Sequence, residues 1–147
     1  MDIEIVAPKD LEAVKCLIEE VAQQDVLPHF TRQGRDEFQS RVLKDVKTAF
    51  DLDLFYSIKA IDNNRLVGFA ALREGNYLTH LFVAKSAQKT GLGALLLDEL
   101  LRSTQEKRIS LRSSVNAEGF YQRYGFAQTG EESEFNGIRF VPMTLTR

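Results

Sequence analysis

One mixed α/β sheet with helices on both faces is the fold class this sequence predicts, and three observations predict it. Residues 77–102 read as an apolar strand, a short loop holding Gly91 and Gly93, and a leucine-rich helix. A further strand-like run at 109–115 completes a βαβ unit, whose strands should be parallel neighbours joined by a right-handed crossover. Upstream, the strand-like runs 54–61 and 66–72 flank Asp62-Asn63-Asn64-Arg65, a tight-turn sequence that implies an antiparallel hairpin.

The remaining elements follow in order. Ile3-Glu4-Ile5-Val6 alternates as a first strand, closed by Pro8. Asp10 is placed to cap a helix whose inner face is Leu11, Val14, Leu17, Ile18 and Val21, with Cys16 expected to pack as a small apolar residue. Residues 25–31 break that helix. The next helix is predicted over about 33–50, with Phe38, Val42, Leu43, Val46 and Phe50 inward and Gly34 weakening its first turn. Leu27, Pro28, His29 and Phe30 put apolar groups into the connection, where they either line a pocket or cap the core. Gly75-Asn76 turns the chain into the strand at 77–83.

In the helix after the glycines, Leu92, Leu95, Leu96, Leu97, Leu100 and Leu101 follow helical spacing, with Asp98, Glu99 and Arg102 on the wet side. Asn116 is placed to cap a short helix ending at Gly125. Phe126 opens another strand, and residues 134–136 and 138–145 form a last hairpin around Asn136-Gly137. Pro142 argues that the last strand is an edge or is bulged, and such an edge could pair with a second copy in a homodimer.

Composition excludes several functions. At 147 residues the chain is most economically a single domain, residues 1–147, able to bury a core without disulfide or metal. A net charge of −2 favours neither nucleic acid nor a membrane surface. One cysteine and two distant histidines, His29 and His80, assemble no metal site. Nothing approaches a membrane span, and residues 1–10 lack the pattern of a secretory signal, so a cytoplasmic protein is expected.

The chemistry is expected where strand becomes helix. The first N–H groups of a helix have no internal partner and carry partial positive charge, and glycine lets an anion approach the backbone. Lys85 and Lys89 add full charges nearby, so Gln88-Lys89-Thr90-Gly91-Leu92-Gly93 reads as a diphosphate site. The chain contains no Gly-Lys pair, which a P-loop requires. Ala94, Leu95 and Leu96 after Gly93 leave the dinucleotide fingerprint without its third small residue.

Gln88-x-x-Gly91-x-Gly93 after a Leu-Phe-Val strand resembles the Q/R-x-x-G-x-G/A motif of the GCN5-related N-acetyltransferase (GNAT) family. Phe120-Tyr121-Gln122-Arg123-Tyr124-Gly125-Phe126 is similar to that family's FYxxxGF segment, and the likeness of element order extends over the whole chain. The resemblance implies a GNAT fold, a mixed and mostly antiparallel central sheet with a splayed parallel strand pair. It also implies acetyl-CoA as co-substrate, no metal, and acetyl transfer from acetyl-CoA to a primary amine of a small molecule or peptide by direct attack of that amine. In that reading Leu81, Phe82 and Val83 offer unpaired backbone groups to the pantetheine arm. Gln88, Lys89, Thr90, Gly91, Leu92, Gly93 and Ala94 hold the diphosphate, and Asn116 lies near the arm.

Tyr121 matches the family's FY tyrosine, which implies a general acid for the departing thiolate; the alternative is a packing aromatic, with Tyr124 as substitute donor. His80 titrates in the range of a base but stands on the strand face opposite Tyr77 and Thr79, where the family commonly places one, so a core histidine is the competing reading. Leu27, His29, Phe30, Tyr77 and Thr79 are the expected acceptor-side residues. A CoA-binding regulatory module that keeps the fold without the reaction is the alternative function.

Overall fold

The computed structural model describes residues 1–147, except for the side chains of Asp25, Val26, Val42 and Leu43. The inward placement expected for Val42 and Leu43 therefore lies outside the described residues. Strand β1 (Asp2–Ile5) leads through a 3-10 turn (Pro8–Asp10) into α1 (Leu11–Val21). A π-helical turn (Ala22–Val26) and a 3-10 turn (Leu27–His29) precede α2 (Arg32–Glu37), and a second π-helical turn (Phe38–Val42) joins α2 to α3 (Leu43–Thr48). Then come β2 (Phe55–Asp62), β3 (Arg65–Arg73), β4 (Tyr77–Val83), α4 (Leu92–Arg102) and β5 (Arg108–Ser113). After a 3-10 turn (Val115–Ala117) follow α5 (Glu118–Tyr124), β6 (Ala127–Gln128), β7 (Ser133–Phe135) and β8 (Ile138–Thr146).

The sheet runs β1-β2-β3-β4-β5-β8-β6, with β7 added on β8. Only β4 and β5 are parallel; the other pairings are antiparallel. The β2–β3 turn carries Asn63 at φ 52° and Asn64 at φ 62°, the left-handed pair that a two-residue hairpin requires. Asn136 and Gly137, at φ 51° and 83°, repeat it between β7 and β8.

Helices cover both faces because the central strands alternate between them. A Cβ on Gly68 would meet Leu92 and Leu96 of α4 at 3.4 and 3.0 Å, so that face of β3 belongs to α4. Phe69 stacks on Phe50 just beyond α3, with centroids 6.0 Å apart, and Ser57 donates to the Ala49 carbonyl at 2.6 Å on the same opposite face. In α4, Leu92, Leu96, Leu97, Leu100 and Leu101 are buried, each contributing about 1.5–3 kcal/mol, while Leu95 is left half exposed.

Several expectations are corrected. Asp10 does not cap α1: its Oδ2 accepts from the Ala7 N–H at 2.7 Å and from Lys59 Nζ at 2.8 Å, tying the start of α1 back to β2. Cys16 is exposed, because the buried stripe of α1 is Val14, Leu17, Ile18 and Val21, which leaves position 16 outside it. The helix expected over 33–50 begins at Arg32, capped by the Thr31 hydroxyl, and is interrupted at Phe38–Val42. Gly34 is a contact point: a Cβ there would lie 2.0 Å from the Gly137 carbonyl oxygen, so α2 rests directly on the β7–β8 turn. The last strand is no edge, since β8 runs between β5 and β6. Pro142 is tolerated because its carbonyl, and with it the proline nitrogen, faces β6, where pairing ends at the Thr129 N–H (2.9 Å). The edge-strand basis for a homodimer goes with it.

Candidate active site

Strands β4 and β5 touch only at one end. Tyr77 pairs with Ser110, whose N–H donates to the Asn76 carbonyl at 3.0 Å, and beyond that point no further β4–β5 partners are in register. The backbone of β4 divides between its neighbours. Ala84 donates to the Val67 carbonyl on β3 at 2.8 Å, so by alternation the amide groups of Phe82 also face β3 and those of Leu81 and Val83 face the gap. The backbone role expected of Phe82 is thereby corrected: its amide groups belong to the β3 ladder opposite Phe69. A bulge at Thr79, between the pairs Ala71–His80 and Leu72–Leu78, bends β4 beside the gap. The Thr79 hydroxyl is spent on the Ala71 carbonyl at 3.2 Å.

At the far end of β4 the loop is held open. Gln88 Nε2 donates to the Val83 carbonyl at 3.0 Å, folding the loop against the strand. Gly91 sits at φ 85° with nothing within 4 Å of where a Cβ would lie. Helix α4 starts with the bond from the Leu95 N–H to the Gly91 carbonyl and has no side-chain cap, which leaves the N–H groups of Leu92, Gly93 and Ala94 without helical partners. Gly93 serves packing instead: a Cβ there would press on the Phe120 ring at 3.2 Å. Thr90 turns its hydroxyl to the Ala87 carbonyl and is not on the cavity wall.

Gap and loop open into a cavity of about 890 Å³, walled also by Phe30, Thr79, Lys89, Asn116 and Tyr121. Asn116 does not cap α5; it lies within the preceding 3-10 turn, and its Oδ1 accepts from Ser114 Oγ at 2.9 Å. Tyr121 is 7% exposed and edge-on to Phe120 and Phe126, and burial pushes its phenol well above the ordinary range. Tyr124 Oη donates to Asp98 Oδ1 at 2.6 Å, so it fastens α5 to α4. His80 is a core residue: burial holds its pKa down to about 4, Nδ1 is 2.8 Å from Thr79 Oγ1, and the ring meets Phe69 edge-on.

Of the acceptor-side candidates, Phe30 and Thr79 line the cavity, whereas Leu27, His29 and Tyr77 do not. Leu27 is buried in the core, His29 is exposed, and Tyr77 lies under the Arg73 guanidinium, 4.8 Å from the ring centroid. The cavity is also lined by residues not expected there from sequence: Phe38 (expected in the core), Arg41 and Asp45 near α3, and Arg112, Phe135 and Phe140 from the strands. Burial raises the Asp45 carboxyl, with Arg41 opposing. Arg41 and Asp45 are one helical turn apart, an ordinary surface pattern; only the fold turns it toward β4.

A family model described as an acetyltransferase (GNAT) domain matches residues 26–147. The chain belongs to the GNAT acetyltransferase family. A Bacillus subtilis (strain 168) protein described as "Putative acetyltransferase" is 36% identical over 93 residues of this GNAT chain, 59% of its length. That match spans 63% of the relative's own length. A GCN5-related N-acetyltransferase structure from Rhodopseudomonas palustris superposes with a TM-score of 0.80 at 18% identity, covering 99% of this chain and 95% of that one. PaiA N-acetyltransferase from Thermoplasma acidophilum, in complex with coenzyme A, gives a TM-score of 0.74 at 18% identity over 100% of both chains. The splayed β4–β5 pair of the GNAT chain thus sits within a shared fold. Among the described residues no group of histidine, cysteine and carboxylate side chains could hold a metal ion, and no helix is long and apolar enough to cross a membrane.

Proposed function

We propose that this chain transfers an acetyl group from acetyl-CoA to a primary amine of a small molecule or peptide. The observation that carries the reading is the wedge between β4 and β5, which ends on the uncapped, glycine-opened start of α4. The residues present fit coenzyme A. The free N–H groups of Leu92, Gly93 and Ala94, the open backbone at Gly91 and the Lys89 ammonium suit a diphosphate. The gap-facing amide groups of Leu81 and Val83 suit the amides of a pantetheine arm laid along β4.

Acetyl-CoA supplies a thioester carbonyl and a thiolate leaving group. The acceptor nitrogen forms a C–N bond as the C–S bond breaks, and the proton it gives up passes to water in the open cavity. The chain's part is to hold the carbonyl beside the acceptor, to stabilise its oxygen with a gap-facing N–H, and to protonate the thiolate. Tyr121 is the donor we assign, since it lines the cavity and no hydrogen bond among the described residues commits its hydroxyl, as Asp98 commits that of Tyr124. His80 is a poor base, because burial holds its pKa down to about 4 and so weakens its hold on a proton, and its Nδ1 lies against the Thr79 hydroxyl.

The test is the thermal unfolding midpoint with and without acetyl-CoA, in the parent and in Gly91→Asn and Gly91→Glu variants. Ligand at 100 times its Kd stabilises by about 2.7 kcal/mol, a shift of several degrees for a chain of this size. Both variants are strained by the positive φ, so the ligand-induced shift is compared rather than the midpoint. Asparagine should keep the shift and glutamate should abolish it. No shift in the parent sinks the reading; a shift without turnover on any amine leaves a CoA-responsive module.

A further inference from the structure

The cavity carries a cation that no carboxylate among the described residues neutralises. Five cationic side chains line the cavity: Arg41, Lys89, Arg112, Arg123 and Arg139. The chain as a whole is acidic. Lys89 lies on the glycine loop, and Arg123 on α5, the helix whose Phe120 packs at Gly93. Arg139 is held by Glu132 in a two-pronged pair at 3.0 Å on each prong, and Arg41 pairs with Glu37 at 3.3 Å. Arg112 has no carboxylate partner among the described residues. Its guanidinium instead lies over the Phe140 ring, 4.7 Å from the centroid. The two side chains share a face of the β5–β8 pair, Arg112 being registered with Pro142 two residues from Phe140.

Stacking fixes the plane of a guanidinium without consuming its N–H groups, which leaves the fork free for a planar carboxylate. The surrounding wall is aromatic, formed by Phe30, Phe38, Phe135 and Phe140. Among the described residues one carboxylate, Asp45, also lines the cavity and is available to an ammonium.

We propose that Arg112 is the specificity-determining residue of the acceptor site, and that the acceptor is an amino carboxylate with an apolar body. This rests on the acetyl-transfer reading above. The lining charge equally disfavours a polycationic acceptor, which would meet several arginines and a single acid.

The experiment is a thiol-release assay on the full chain with matched pairs: free phenylalanine, leucine and methionine against their carboxamides, with spermidine as polycation. Carboxylates should exceed their amides in kcat/KM by roughly ten- to hundredfold, the worth of a charge-assisted contact. Arg112→Gln should bring that ratio close to one by raising KM for the carboxylates, and Arg112→Lys should restore part of it. The acetyl-CoA thermal shift should survive in both variants. Amides or spermidine turned over as well as the acids, no turnover of any carboxylate, or a parent ratio unaltered in Arg112→Gln would overturn the proposal. Loss of the acetyl-CoA shift in Arg112→Gln would also overturn it, by moving Arg112 to the coenzyme side. A parent that shows no acetyl-CoA shift at all identifies failure of the underlying function instead.

Discussion

Tyr121 and Tyr124 lie three residues apart on one short helix, and their hydroxyls are placed differently. The Tyr124 hydroxyl is committed to Asp98, whereas no hydrogen bond among the described residues holds the Tyr121 hydroxyl, whose ring is edge-on between Phe120 and Phe126. Tyr121→Phe therefore keeps the packing and deletes only the hydroxyl that we propose as the proton donor. The expected result is a fall in kcat of about a hundredfold or more, with the acetyl-CoA thermal shift retained. Steady-state kinetics with acetyl-CoA saturating decides it; an undiminished kcat would assign the donor elsewhere, and Tyr124 would be a poor replacement. The tyrosine motif was readable as residues, but the division of labour was not. It depends on Asp98, 26 positions away along the chain, and no local pattern encodes which hydroxyl finds it.

At the scale of elements, the join between α2 and the β7–β8 turn borders the cavity, which Phe135 and Ile138 line on either side of that turn. Thr31 and Gly34 at the start of α2 close on Gly137 so tightly that a Cβ on Gly137 would lie 2.3 Å from Thr31 Oγ1 and 2.4 Å from the Gly34 nitrogen. Gly34→Ala removes a helix-weakening glycine, which by propensity alone would stabilise by up to about 1 kcal/mol. Here the new methyl would collide with backbone that has no rotamer to yield, so a net loss of about 1–3 kcal/mol or more is expected in urea unfolding. A stabilised Gly34→Ala variant would show that α2 and the hairpin part easily. Turn signals such as Asn63-Asn64 and Asn136-Gly137 were legible because backbone handedness is a property of a few adjacent residues. So was the strand–glycine loop–helix unit. The reasons for Gly34 and Pro142 were not, since each answers to a neighbour more than ten residues distant.

Across the whole molecule, two buried titratable groups make stability depend on acid in separate windows. His80 is neutral in the fold with a pKa held to about 4, against 6.5 when unfolded. The unfolded chain therefore binds the proton first, and the contribution, on the order of 3 kcal/mol, is complete above pH 6.5 and drains away between about 6.5 and 4. Asp10 acts lower. Burial opposes its charge, but the Lys59 ammonium and the Ala7 N–H outweigh burial and hold its carboxyl below the ordinary 3.8. Its contribution is present above that value and lost as pH falls through the lower folded one. Unfolding free energy measured by urea at intervals from pH 8 to 3 should descend in two stages. His80→Gln should flatten the upper stage and leave the lower one. Asp10→Asn should remove the lower stage while costing several kcal/mol at neutral pH, because Lys59, with a side chain only 8% exposed, loses its closest counter-charge. A parent curve level from pH 7 to 4.5 would mean that His80 is hydrated in solution. The packing of His80 against Phe69 and Thr79 would then be looser in solution, and the cavity lining at Thr79 with it.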